Sequence, residues 1–301
     1  MDLSKLRIFL EAARLQNYTV AGRRVHLSQS AVSHAIRKLE VSLGRKLIDW
    51  KGRRFHLTPE GTYLLQVCER VFRELDTAER HLAGSADSPL RIVLGVTVEF
   101  GTMVLVPRLA AQLKQEQGLH VDFIFSNHLS QPLQQGEIDL AVDCKPHYSP
   151  GLVRTPLFRE KYVVMASPEY LAQHPVLKPS DLSDVTLLSL DEETQWWRNL
   201  YDALPRGERP SPGRVLIVSH VRGIVNAALA GLGVGLAPKY TVLEELASGR
   251  LVDVLPALHL VEDEFAIYQL SAVAGREANQ LLAQMLQRLP FADFGDALAK
   301  A

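Results

Sequence analysis

Five side chains suited to reading nucleic-acid bases fall within nine residues of the chain. Gln29, Ser30, Ser33, His34 and Arg37 share the face of a helix opposite to Val32, Ile36, Leu39 and Leu43. Gln can bond N6 and N7 of adenine, Arg can bond O6 and N7 of guanine, and Ser can serve either partner. A polar face that merely meets water would give the same stripe, so the flanking residues must decide. Next come Lys51, Gly52, Arg53 and Arg54 between strand-like residues, a hairpin with basic groups near its tip. Arg53 and Arg54 there suit phosphates or an adjacent minor groove. A second constellation lies far downstream: Thr97, Glu99 and Thr102, then Ser126 and Asn127, then Ser219 and His220. Each group follows a strand-like segment or precedes a helix, where open α/β sheets hold small ligands. Ser126, Ser130 and Ser219 read equally well as plain helix caps. A carboxylate at Glu99 disfavours a simple anionic ligand unless His220 or another cation balances it.

The elements that carry the first constellation are legible. Leu3, Leu6, Phe9, Leu10 and Ala13 recur at three- and four-residue steps, one apolar face of a first helix. Thr19 is placed to cap a second helix through Val25, and His26-Leu27 make a tight connection. Ser28 can cap a third helix to about Leu43. This is a helix-turn-helix over about 18–37, and the hairpin after it makes a winged helix-turn-helix domain of residues 1–58.

Thr58 and Pro59 then mark a helix start, and no proline follows until after residue 83. Leu64, Cys68, Val71, Leu75, Ala78 and Leu82 form a heptad seam along this 59–83 connector, about 37 Å of helix. The seam suits a partner helix; Leu65 and Phe72 form a second stripe that could rest on the winged domain itself. Residues 84–89 read as a hinge.

Strands are expected at Leu90–Val98, His120–Phe125, Ile138–Val142, Tyr162–Ala166, Val215–Ser219, Val234–Ala237 and Phe265–Ser271. Helices are expected at Val104–Gln117, through Ala230, and at Glu277–Arg288. Such alternation predicts α/β units around mainly parallel sheets, with a tail over 291–301. Gly231, Gly233 and Gly235 follow a helix, not a strand, and are no dinucleotide fingerprint.

The 301 residues carry a formal charge of −1, which taken whole speaks against nucleic acid. Residues 1–58, however, hold twelve Lys and Arg against four Asp and Glu, and the remainder holds twenty-one against thirty. A basic head on an acidic body points to a nucleic-acid module joined to something else. With 47% hydrophobic and 22% charged residues the chain is an ordinary globular one. Two cysteines exclude a disulfide framework. The start lacks the pattern of a signal peptide, and no stretch reaches the ~20 apolar residues of a membrane span. The expectation is a cytoplasmic protein with reduced thiols and no membrane partner.

From Met1 to about Leu82 the chain resembles the amino-terminal region of LysR-type transcriptional regulators. The resemblance is carried by Leu3-x-x-Leu6-x-x-Phe9, the Ala21 helix, Ser28-Gln29-Ser30-Ala31-Val32-Ser33 and Ile36-x-x-Leu39-Glu40. It continues in Leu43-Gly44-x-x-Leu47 and Gly52-Arg53-Arg54-x-x-Leu57-Thr58-x-x-Gly61. Three departures stand out. Ser30 replaces a usual proline, Gly22 a usual alanine, and Ile48-Asp49-Trp50 the common Phe-x-Arg, which removes a basic group beside the wing.

The resemblance implies a long dimerisation helix with Leu64, Cys68, Val71, Leu75 and Leu82 at its seam. It also implies a body like a periplasmic binding protein, with subdomain I over 90–165 plus 266–290 and subdomain II over 166–265. Thr97, Glu99, Thr102, Ser126, Asn127, Ser219 and His220 would line an effector cleft between them. The implied protein is a transcriptional regulator acting as homodimer or homotetramer on pseudo-palindromic double-stranded DNA and answering to a small-molecule effector.

Three other readings compete. A thiol-based redox sensor of the same architecture is set against the placement of Cys68 and Cys144 in different modules. A free solute-binding protein is set against the basic head. An enzyme is set against the absence of a nucleophile elbow, a phosphate loop or a metal-spaced His/Cys cluster, so no catalytic residue, metal or cofactor is expected. Asp139, Asp143 and His147 read as a surface scatter.

Overall fold

The computed structural model describes residues 2–51, 54–82 and 89–291. Contacts divide the chain into two units, residues 1–89 with 135–137 and residues 90–134 with 138–301.

In the first unit α1 (Leu3–Leu15) is capped by Asp2, whose carboxylate accepts the Ser4 N–H at 2.9 Å. Helix α2 (Tyr18–Arg24) begins before Thr19, so Asn17, and not Thr19, is its cap: Asn17 Oδ1 accepts the N–H groups of Thr19 (2.9 Å) and Val20 (3.1 Å). The turn after α2 is tight enough to require glycine. The Leu27 N–H reaches the Gly22 carbonyl at 2.8 Å, and a Cβ on Gly22 would stand 2.5 Å from the Leu27 carbonyl oxygen. Ser28 caps α3 (Gln29–Leu43) as expected, its hydroxyl accepting the Ala31 N–H at 3.2 Å, and Gly44 at φ 65° ends it. Val32, Ile36 and Leu39 are buried, but Leu43 is 37% exposed because the helix stops there and the chain turns away.

Strands β1 (Ile48–Lys51) and β2 (Arg54–Leu57) pair antiparallel as the wing. Helix α4 (Pro59–Leu82) starts at the expected cap. Thr58 Oγ1 accepts the Gly61 N–H at 3.0 Å and donates to the Lys46 carbonyl at 2.7 Å. One core holds Phe9, Leu10, Ala13, Ala21, Val32, Ile36, Leu39, Leu47, Phe55 and Phe72. Cys68 lies in that same core, 1% exposed, with Leu64 and Leu65 packed against it. The residue assigned to the partner seam is therefore taken up by its own domain, because α4 folds back onto α1. Val71 stays half-buried and Leu75 exposed; the side chains of Ala78 and Leu82 lie outside the described residues, as do the 84–88 part of the hinge and the tail from 292.

The second unit has two five-stranded mixed sheets. Its chain order is β3 (Leu90–Val96), α5 (Val98–Phe100), α6 (Val106–Gln115), β4 (Leu119–Phe125), α7 (Ser130–Gln135), β5 (Leu140–Asp143) and β6 (Leu152–Glu160). There follow β7 (Tyr162–Ala166), α8 (Pro168–Gln173), β8 (Thr186–Ser189), α9 (Arg198–Tyr201), β9 (Arg214–Ile217), α10 (Val221–Leu229), β10 (Val234–Pro238), α11 (Leu243–Ala247) and β11 (Val252–Asp253). The chain closes with β12 (Asp263–Leu270), α12 (Ser271–Ala274) and α13 (Glu277–Arg288).

The first sheet runs β4-β3-β5-β12-β6 and the second β11-β7-β10-β8-β9. Only the β4-β3-β5 and β10-β8-β9 pairings are parallel. The expectation of mainly parallel sheets fails at the strands that pass between sheets, β6 into β7 and β11 into β12, since no helical crossover intervenes to force parallel pairing. Strand β7 belongs wholly to the second sheet and β12 begins at Asp263 in the first. The crossovers therefore fall at Lys161 and just before Asp263, earlier than the boundaries expected at 165 and 265.

Candidate functional sites

On α3, Gln29, Ser30, His34 and Arg37 are exposed and Ser33 is half-buried, all on the side away from the core. The Ser30 hydroxyl lies 2.9 Å from the Ser28 hydroxyl, so it is shared with the helix cap. What fixes the wing beside this face is a residue with no role assigned from sequence. Glu40 is buried at the far end of α3, where its Oε1 accepts the N–H groups of Leu47 (2.9 Å) and Ile48 (3.3 Å). Lys46 Nζ donates to the other oxygen at 3.3 Å. Its signal was a lone acid in the most basic stretch of the chain. Tyr18, Trp50 and Phe55 meet edge to face at 5.4–5.7 Å and bind the wing to α2. Trp50, standing where the resemblance leads one to expect arginine, is 47% exposed. Arg53 lies outside the described residues. Arg54 opens β2, with its side chain outside them.

In the second unit the strand ends bring the expected cleft residues together. Thr97 follows β3, and its backbone N–H reaches the Val142 carbonyl at 3.4 Å. The turn after it runs through α5 into a π-helical turn over Gly101–Leu105 before α6. The helix expected from Val104 thus begins earlier, and the wider turn lies at the cleft. Thr97 Oγ1 and Glu99 Oε1 are both buried without a hydrogen-bond partner. From the other sheet, His220 caps α10 and stands with Nε2 3.6 Å from Glu99 Oε1. His220 Nδ1 accepts the Arg222 N–H at 3.2 Å, which places the ring proton of the neutral form on Nε2, facing Glu99.

Asn127 Oδ1 accepts the Val98 N–H at 3.4 Å, and Ser126 Oγ accepts the His128 N–H at 3.1 Å. Thr102 is less available: its hydroxyl donates to the Val98 carbonyl at 2.7 Å, inside its own helix. Ser219, just before His220, is exposed.

Behind the cleft, the crossovers gather a buried polar cluster. Tyr162 Oη lies 2.6 Å from Glu160 Oε2 and 2.8 Å from Asp263 Oδ2, and Arg198 donates to Asp263 at 2.6 Å. Burial pushes the Glu160 carboxyl up to about 8, against hydrogen bonds from Tyr162 and Tyr240 that lower it. The Cys144 sulfur and the Glu160 and Asp263 carboxylates come within 4.8 Å of one another. Tyr162 and Arg198 already bond Glu160 Oε2 and Asp263 Oδ2, so the set is a hydrogen-bonded carboxyl–phenol cluster where the chain passes between the sheets. Burial also pushes the Cys144 thiol well up and the Cys68 thiol to about 11, so neither supplies a ready thiolate. Asp143 and His147, expected at the surface, instead form a buried pair at 2.8 Å with the His147 ring stacked on Tyr268. No helix among the described residues is long and apolar enough to cross a membrane.

A helix-turn-helix head on a two-sheet cleft defines a class, a DNA-binding regulator with a ligand-binding body. Residues 3–62 match the model of the bacterial regulatory helix-turn-helix protein, lysR family, and residues 85–290 match the LysR substrate binding domain. The chain is 30% identical to the HTH-type transcriptional regulator PtxR of Pseudomonas aeruginosa over 97% of its own length and 95% of that protein's. It is 33% identical to the glycine cleavage system transcriptional activator of Escherichia coli over 83% of its length and 81% of that protein's. The crystal structure of ArgP from Mycobacterium tuberculosis has the same fold, with a TM-score of 0.70 at 20% identity over 96% of this chain and 98% of that one. The chain therefore belongs to the LysR-type transcriptional regulator family: it is a DNA-binding regulator with an effector-binding domain, and not an enzyme.

Proposed function

We propose that α3 enters the major groove and reads bases through Gln29, Ser33, His34 and Arg37, with Ser30 serving mainly the cap. Arg53 and Arg54 on the wing hold phosphates. The observation that carries this reading is the exposed polar face of α3, with the wing tied to the end of the same helix by Glu40. Two copies join along α4 through Val71, Leu75 and Leu82, with Leu64 at the margin and Cys68 turned inward, and dimers pair into tetramers on pseudo-palindromic sites. The protein acts in the cytoplasm. Its effector lies between Thr97, Glu99, Ser126 and Asn127 on one wall and Ser219 and His220 on the other. Occupancy changes the angle between the sheets, and with it the spacing or bend of the bound DNA.

A binding titration at fixed salt tests the head. Arg37→Ala and Gln29→Ala should each weaken specific binding by ~1–3 kcal/mol and relax the preference at one base pair. Arg53→Ala should weaken binding to all sequences and flatten the salt dependence. Unchanged specificity in both α3 variants would overturn the assignment of α3 as the reading helix.

A further inference from the structure

The cleft wall holds two polar atoms that folding has left without partners. Thr97 and Glu99 are each 8% exposed, and Thr97 Oγ1 and Glu99 Oε1 have no hydrogen-bond partner. Native chains pair nearly all such groups, and an orphaned pair in a cleft marks a place where something else supplies the bonds. A carboxylate only accepts, and the hydroxyl can accept as well, so what is missing is a donor.

The surrounding charges say which kind. His220 faces Glu99, but at 3.6 Å it is beyond hydrogen-bond range. Arg222, next along α10, commits its guanidinium to the Glu245 carboxylate at 2.8 Å and the Thr241 carbonyl at 3.2 Å. Lys145 donates to the Asn127 carbonyl at 3.4 Å. On the far side lies the Glu160 carboxyl, kept protonated by burial first and by Asp263 and Glu99 after it. The wall is thus short of positive charge and rich in acceptors. Among the described residues, the one group of side chains spaced to hold a metal ion, Cys144, Glu160 and Asp263, does not include Glu99.

We infer that the effector carries a protonated amine, whose N–H donors meet the Glu99 carboxylate and the Thr97 hydroxyl. The inference rests on the cleft being the effector site. The ammonium supplies the missing charge at Glu99, and the rest of the molecule reaches towards Ser219 and His220, so that one ligand touches both walls. Simple anions are refused by the Glu99 carboxylate.

The test uses the full chain and two matched libraries, α-amino acids with linear diamines and the N-acetyl derivatives of the same compounds, screened by thermal shift and then calorimetry. At least one free amine should raise the melting temperature, while its N-acetyl derivative should bind at least tenfold more weakly. Glu99→Gln should lose tenfold or more in affinity for that amine, and without ligand it should melt higher than the wild type, because it no longer buries a carboxylate oxygen that has no hydrogen bond. Binding of the acetylated compound as tight as the amine, no effect of Glu99→Gln, or no amine hit at all would each overturn the inference. Ser219→Trp, which fills the opposite wall, separates the two levels. Loss of amine binding in Ser219→Trp but not in Glu99→Gln sinks the ammonium contact and leaves the cleft standing. An amine that binds both variants as it binds the wild type sinks the cleft reading as well.

Discussion

Replacing Glu160 by glutamine should change how the stability of the effector domain depends on pH. Tyr162 has one hydroxyl proton and lies 2.6 Å from Glu160 and 2.8 Å from Asp263, so two carboxyl oxygens compete for it. Arg198 donates to Asp263 at 2.6 Å, and Glu160, pushed up to about 8 by burial, supplies the second proton. The folded protein holds that proton across a range in which an unfolded glutamate, near 4.5, has released it. A carboxyl raised in this way stabilises fully below its unfolded value, and the contribution is lost as pH rises through the folded value. Each pKa unit is worth about 1.4 kcal/mol, so a few kcal/mol should disappear between about pH 5 and 8. A glutamine side chain keeps the shape, offers an N–H to Tyr162 and cannot ionise. Urea unfolding of wild type and Glu160→Gln should therefore give a gap that widens in the variant's favour from pH 5.5 to 8.5. Parallel curves over that range, or a wild type that gains on the variant as pH rises, would refute the proton-sharing argument.

Two predictions concern the head. Glu40→Ala strands the Leu47 and Ile48 N–H groups and should cost about 2 kcal/mol in urea unfolding, with a further loss of DNA affinity as the wing comes loose; Glu40→Gln should recover part of both. Gly61→Ala puts a Cβ 2.0 Å from the Leu47 carbonyl oxygen, whereas Gly207→Ala meets nothing within 4 Å. The first should lower stability by about 2 kcal/mol or more and the second should stay within about 0.5 kcal/mol, read by the same denaturation.

The head was legible because its signals are local. Ser28, Pro59 and the three- and four-residue apolar steps act within a turn or two of helix, and they placed α1, α3 and α4 closely. The misses came where distant chain decides. Strand β6 contains Pro156, which argues against a strand. Its register with the antiparallel neighbour β12 shifts where Leu157 of β6 is skipped, between the Phe158–Phe265 and Pro156–Ala266 pairs, and β6 lies at the sheet edge; nothing near Pro156 announces either feature. Cys68 fits the heptad of α4 as well as any seam residue; that α4 lies back on α1, with Arg7 over the Phe72 ring at 4.6 Å, depends on residues far apart in the chain. At the cleft, the strand-end rule selected Thr97, Glu99 and His220, because ligand sites in α/β sheets follow from topology. That Thr102 is consumed by its own helix, and that Glu99 Oε1 is left without a hydrogen bond, are facts of packing.

The cleft and the crossover cluster are electrostatically one system. Burial does most to raise the Glu160 carboxyl, and the charge of Glu99 adds to it; burial likewise tightens the hold of Tyr240 on its proton, with Glu160 and Glu99 adding to the effect. A cation beside Glu99 offsets the charge that helps keep Glu160 neutral, so filling the cleft and releasing the Glu160 proton favour each other. By linkage the same coupling runs in reverse, and a charged Glu160 strengthens the hold on the cation. Glu160 ends the strand by which the chain leaves the first sheet, Tyr162 starts the strand by which it joins the second, and Asp263 begins the return. Tyr162, Glu160 and Asp263 thus tie the inferred ammonium site to the two connections between the sheets through largely buried groups, whose interactions salt screens little.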